Sequence, residues 1–224
     1  MAPMPPISKN LLYINIGVFI VSWIMETKQV FLSNTLGLFY IDSPFFKPFQ
    51  IFTYQFMHGD IMHIFMNMFC LYIFGSRLER LWGEKKYLFF YLFCVAGSAF
   101  FMFLMDAIKV YDATGFLSPL DKTNNIPQSI IEIYRTPTIG ASGAIMGLIA
   151  AFAMLFPNTE LYFLFIPFPL KAKYLAIGYG IIELYLGIMN RPSDNIAHFA
   201  HIGGLLFGVL LVYYWNKTDK KSFF

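Results

Sequence analysis

Long apolar runs alternate with short polar breaks along this chain. They fall at about 11 to 25, 61 to 77, 87 to 105, 138 to 156, 172 to 189 and 196 to 215. Several approach the roughly 20 residues that cross a bilayer core of about 30 Å. The pattern predicts an all-α polytopic membrane protein, six helical spans in one domain covering residues 1–224. The first run is preceded by prolines and one lysine and followed by no small-residue cleavage signature, so it reads as a retained helix rather than a cleaved signal. Between the first two runs lies "ETKQVFLSNTLGLFYIDSPFFKPFQIFTYQFMHGD", too broken by Pro44 and Pro48 to cross and too aromatic to float free. Its expected place is the membrane interface, with the rings as anchors. Residues 106 to 137 form the most polar connection, and "IPFPLKAK" (166 to 173) punctuates the turn into the fifth run.

Composition agrees with a core formed among helices in lipid: 58% of residues are hydrophobic, 20% aromatic and only 13% charged. A net charge of +3 without a basic cluster gives no reason to expect a nucleic-acid partner. Cys70 and Cys94 both sit inside apolar runs, where the thiol acts as a small hydrophobe and a disulfide is not expected. Charge does set an orientation. With the N-terminus in the cytoplasm, Lys9, Arg77, Arg80, Lys85, Lys86, Lys171, Lys173, Lys217, Lys220 and Lys221 lie inside, ten of the sixteen basic residues. The positive-inside bias therefore places both termini in the cytoplasm, and the even-numbered spans start at the outer face.

In that frame the polar residues inside the spans carry information, because polar groups in hydrocarbon are costly and mark functional sites by default. The second span opens with "HGDIMHIFMN", making His63 and Asn67 i, i+4 neighbours roughly 5 and 11 Å below the outer edge. The sixth opens with "NIAHFAHIGG", which sets His201 about 8 Å down. The fourth, starting at Ser142 and ending before Pro157, is too short for the bilayer and sinks Ser142 by about 8 Å as well. Gly143 and Gly147 on the fourth span, and Ala200, Gly204 and Gly208 on the sixth, repeat every four residues, a spacing that lets helix backbones approach closely. His201 is thereby placed to act as general base on the Ser142 hydroxyl. No acidic residue lies at that depth on the fourth or sixth span, so a dyad is expected. The helix start at Ser142 offers its own N–H and the positive dipole end to a developing oxyanion, with His63 and Asn67 as further donors.

These motifs resemble the rhomboid intramembrane serine proteases over nearly the whole chain. "GASGAIMG" is similar to the family's G-x-S-G nucleophile motif, with Gly140 and Gly143 flanking Ser142. "AHFAHIGGLLFG" resembles the sixth-helix motif, with His201 as base and Gly204 as the packing glycine. "FMHGDIMHIFMN" resembles the helix-two motif that carries the oxyanion residues, here His63 and Asn67. "GSRLERLWG" resembles the segment after helix two, where Glu79 would be a structural anchor. The resemblance implies six helices, an interfacial loop after helix one and a lid at "NRPSDN" between helices five and six. Met146 stands where some members carry a tyrosine stacked on the histidine.

The remaining polar groups are assigned lesser parts. His198 is read as a neighbour of the base; two histidines without a third ligand give no metal site, and no cofactor is expected. His58, in the loop before the second span, is expected to be solvated or interfacial. Glu183, inside the fifth span, either faces the cavity or gate or is a hydrogen-bonded bundle carboxyl. The expected function is an intramembrane serine endopeptidase acting on transmembrane protein substrates within the lipid bilayer, in a bacterial inner membrane. The alternative is a non-catalytic rhomboid-like protein that binds or escorts membrane clients. A transporter would show paired broken helices, which the sequence lacks. Oligomeric state is not legible.

Overall fold

Pro5 and Pro6 open the first helix where a missing N–H removes no intrahelical bond. In the computed structural model, which describes residues 3–120, 122–123, 125–162, 168–189 and 197–218, α1 spans Pro6–Glu26. It starts before residue 11, where the apolar pattern begins, because a distant carboxylate caps its polar first turn. Glu79 accepts the N–H groups of Ile7 and Ser8 at 2.8 and 2.7 Å and the Ser8 hydroxyl at 2.7 Å. The two N–H groups are donors that a helix start otherwise leaves unpaired.

The segment expected at the interface folds into α2 (Ser33–Leu36), α3 (Gln50–Thr53) and a 3₁₀ turn (Tyr54–Phe56), all too short to cross. Phe31, Phe45, Phe49 and Phe52 remain exposed along it. α4 (Ile61–Cys70) then begins at Asp60, whose carboxylate accepts the His63 N–H at 2.8 Å as an N-cap. A π-turn, Leu71–Gly75, joins it to α5 (Ser76–Trp82), so that one span runs from Ile61 to Trp82.

α6 covers Glu84–Thr114, well beyond the end expected near 105. Asp106, Lys109 and Asp112 are polar but compatible with a helix, which stops only where Gly115 takes the left-handed conformation at φ 75°. The polar connection is also less irregular than its composition suggests. It contains α7 (Gln128–Arg135), whose Ile130 and Tyr134 pack on Tyr40 and Val110.

α8 spans Ser142–Leu155. β1 (Glu160–Leu161) and β2 (Leu170–Lys171) form a two-residue antiparallel ladder with Glu160 opposite Lys171. α9 (Ala172–Met189) and α10 (His198–Thr218) complete the described chain.

Among the described residues, five helices are long and apolar enough to cross a membrane: α1, the Ile61–Trp82 span, α6, α9 and α10. The sixth expected span, α8, has 14 residues, roughly 21 Å of helix, short of a bilayer core. It is instead enclosed by its neighbours, with every residue except Ser142 and Met154 buried. α10 packs most extensively on α6 and α8. Cys94 is buried in this core, and both cysteines are free thiols.

Candidate active site

The α8–α10 contact is made by backbone rather than side chains. A Cβ on Gly204 would overlap the carbonyl of Gly143, and one on Gly208 would lie 2.8 Å from the Cα of Gly147. Cβ atoms on Gly143 and Gly147 would run into Ser98 and Cys94 of α6, and would also approach the Ala200 and Gly204 carbonyls of α10. The glycines therefore remove volume where α8 meets both α6 and α10, and the Ser98 hydroxyl crosses to α10, donating to the Ala200 carbonyl at 2.8 Å. This close approach carries the side chains of the two helix starts into contact.

His201 Nε2 lies 2.6 Å from Ser142 Oγ. The serine is the first residue of α8, and the helix has no side-chain cap of its own, so the hydroxyl serves the histidine rather than the helix end. The first-turn N–H groups of α8 have no partner within the helix. They face the N-terminal end of α8, where Ser142 stands, along with the positive end of the helix dipole.

His63 reaches the same space from α4. Gly140 has φ 119°, and a Cβ there would sit 2.7 Å from His63 Nε2 and 3.5 Å from Ser142 Oγ. The glycine thus keeps open the gap between imidazole and hydroxyl. It is held in place by donating its N–H to the Tyr54 carbonyl at 3.0 Å, while Leu38 and Thr138 exchange backbone hydrogen bonds just before it. The segment after α1 therefore shapes the loop that presents the serine. The Gly59 N–H approaches His63 Nδ1 at 3.4 Å, which assigns the ring proton to Nε2, the nitrogen facing Gly140.

Asn67 lies one turn further along the buried face of α4, which packs on α8. The residue is 5% exposed, and among the described residues Nδ2 has no hydrogen-bond partner. Buried donors are nearly always paired, so an unpaired one is a place where a bound group is expected to accept.

One histidine departs from the sequence reading. His58 is buried, not solvated, with its ring edge-on to His63 at a centroid separation of 4.9 Å. Burial, and then the neighbouring His63, push its pKa down to about 4. It lines a cavity of about 520 Å³ together with Phe19, Trp23, Glu26 and Asp60.

Glu183 of α9 is a hydrogen-bonded bundle carboxyl, one of the two alternatives the sequence left open, and what it corrects is the expectation of a pair with no acid beside it. Its Oε2 accepts from His198 Nδ1 at 2.6 Å and lies 2.9 Å from His201 Nδ1. The latter is within ion-pair range, but the ring is angled so that Nδ1 makes no well-directed hydrogen bond. An acid absent from the fourth and sixth spans is thus supplied by the fifth. Its depth was legible: counted back from Met189, Glu183 lies roughly 9 Å in, level with the serine.

Glu183, His198 and His201 also bring three potential metal-ligand atoms within 4.8 Å of one another. The lack of a third ligand is therefore no argument against a metal. Met146 is buried in the main core. The expected lid, Asn190 to Asn195, lies outside the described residues.

These features define a polytopic helical membrane protein with a serine–imidazole pair enclosed in its bundle. The chain belongs to the rhomboid family: the Rhomboid domain matches residues 46–217. It is similar to RHOMBOID-like protein 12, mitochondrial, of Arabidopsis thaliana, 32% identical over 219 residues covering 96% of this chain and 59% of that protein. Rhomboid protein 1, mitochondrial, of Saccharomyces cerevisiae is 27% identical over 221 residues, 96% of this chain and 56% of its own. Presenilin-associated rhomboid-like protein A, mitochondrial, of Danio rerio is 30% identical over 177 residues, 74% of this chain and 38% of its own. The chain thus spans well under two thirds of the length of these relatives. Their names are mitochondrial, so the expected bacterial inner membrane gains no support from them. The multi-pass membrane character stands.

Proposed function

We propose that this protein is an intramembrane serine endopeptidase that hydrolyses a peptide bond in or near a transmembrane segment of another membrane protein. The observation that carries the reading is the 2.6 Å approach of His201 Nε2 to Ser142 Oγ at the mouth of a buried helix. Membership of a family that includes serine proteases supports it.

Ser142 Oγ attacks the substrate carbonyl while its proton passes to His201 Nε2. The oxyanion collects hydrogen bonds from the α8 first-turn N–H groups, from His63 Nε2–H and from Asn67 Nδ2–H, donors that need no reorganisation as charge develops. Collapse breaks the C–N bond, and His201 returns its proton to the departing amine. Water, deprotonated by His201, then releases the acyl group and restores the serine.

A helical substrate hides its carbonyls in i to i−4 bonds, so the scissile stretch must first unwind. His63, Ser142 and His201 stand in the first turns of α4, α8 and α10, so the substrate is met at the helical end on that face, where fraying leaves unpaired backbone. The proposal specifies this geometry and no organelle.

The test is reaction of purified protein with a serine-directed fluorophosphonate. Labelling at Ser142 in the wild type, absent from Ser142→Ala, is the expected result. A client-binding protein without catalysis would show no labelling in either, and that outcome would overturn the proposal.

A further inference from the structure

Glu183 is one of only three buried residues of α9, with Ala172 and Gly187. α9 is otherwise the least enclosed of the crossing helices, with 17% of its most apolar stretch buried. It approaches α10 at Gly187, one turn beyond Glu183, where a Cβ would meet His198 Cβ and Phe199 Cζ at 3.2 Å. A carboxylate enclosed at membrane depth is costly unless compensated, and its compensation here comes from two imidazoles.

The three side chains form a chain of contacts. His198 Nδ1–H donates to Oε2 at 2.6 Å, the same oxygen stands 2.9 Å from His201 Nδ1, and His201 Nε2 meets Ser142 Oγ. We infer that Glu183 is a positioning residue for the Ser142–His201 pair, with its carboxylate held in turn by His198. The inference rests on the hydrolase reading above.

The carboxylate has two effects on His201. It keeps the ring proton on Nδ1, which leaves the Nε2 lone pair free to accept from Ser142, and it balances the imidazolium formed when that proton arrives. The imperfect alignment at Nδ1 is compatible with this role, because hydrogen bonds of this kind are often loose before substrate binds. Loss of the charge therefore affects the chemical step and leaves substrate binding unchanged.

Glu183→Gln keeps the side-chain size and removes the charge. Expected is a fall in kcat and in the fluorophosphonate labelling rate of at least about 10-fold, and up to about 10⁴-fold by analogy with the amide variant of a soluble triad. KM and the thermal midpoint should stay near wild type, and Glu183→Asp should recover part of the rate. Wild-type rates in a folded Glu183→Gln protein, or loss confined to KM and thermal stability, would overturn the inference and leave Glu183 as a latch between α9 and α10.

Should Glu183→Gln fail to fold, the tautomer of His201 is read by ¹⁵N-histidine NMR in the wild type. Nδ1 protonation is expected; Nε2 protonation overturns the inference. EDTA should leave the wild-type rate unchanged, whereas loss restored by Zn²⁺ would make the trio a metal site and overturn the role assigned to the carboxylate. Wild-type protein that fails to label at Ser142 would remove the hydrolase reading and this inference with it. Equal labelling of wild type and Glu183→Gln would remove the inference alone.

Discussion

Gly204 of α10 faces Gly143 of α8 so closely that no Cβ fits between the first and the carbonyl of the second. Each glycine is a turn or less from the residue it serves, His201 on one helix and Ser142 on the other. The separation of hydroxyl and imidazole is thus set by backbone contact, and Gly204→Ala should be costly twice over. Overpacking typically destabilises by about 1–3 kcal/mol; here the obstruction is backbone, so the upper part of that range is expected, with loss of Ser142 labelling in the molecules that remain folded. Thermal midpoints in detergent and labelling rates measured side by side check both parts.

Ser142→Ala and His201→Ala should each abolish cleavage of a model transmembrane substrate while leaving an inserted, folded protein. Groups that act as a unit are strongly non-additive, so the double variant should match either single one. Robust cleavage by purified Ser142→Ala would contradict the assignment.

Asn67→Ala and His63→Ala should each lower turnover by about 10²- to 10³-fold, the usual effect of removing one oxyanion donor. The Asn67 variant should not lose stability in proportion, because its Nδ2 has no partner among the described residues. A large drop in thermal midpoint without a change in rate per folded molecule would assign Asn67 to packing.

His58 predicts an acid sensitivity with a definite sign. Its folded pKa of about 4 lies below the usual 6.5, so the unfolded chain takes up the proton first. Above pH 6.5 the residue has no effect; as pH falls from 6.5 towards 4 it destabilises the fold, by up to about 3 kcal/mol, and the loss then levels off. His58→Gln should lose less of its thermal midpoint between pH 7.5 and pH 5 than the wild type does. Identical losses would show that His58 does not titrate in this way.

Orientation can be read with single cysteines in a background lacking Cys70 and Cys94. Leu117, just past α6 and 61% exposed, and Lys217, at the end of α10, should label from opposite sides of sealed vesicles with a membrane-impermeant thiol reagent. Labelling of both from one side would refute the arrangement of spans, and labelling of Lys217→Cys from outside would reverse the orientation drawn from the basic residues.

What the sequence determined by itself was the local and periodic part. Apolar runs of bilayer length gave the helices, because solvent transfer acts residue by residue and needs no partner. A run too short for the bilayer gave the short helix that starts at Ser142. Glycines at a spacing of four gave the α8–α10 seam, since the helix period alone puts them on one face. Depth counted along each helix placed Ser142, His201, His63 and Asn67 at a common level.

Tertiary structure decided what depends on residues far apart in the chain. The start of α1 at Pro6 is set by Glu79, since capping is satisfied by whichever acceptor the fold delivers. The burial of His58 follows from the ring of His63 and the wall of α1. The pairing of Glu183 with His198 and His201 required knowing which face of α9 turns toward α10. A helix in lipid shows weak amphipathic patterning, because lipid and protein neighbours are both apolar, so depth can be counted from sequence while rotation about the helix axis is fixed only by packing.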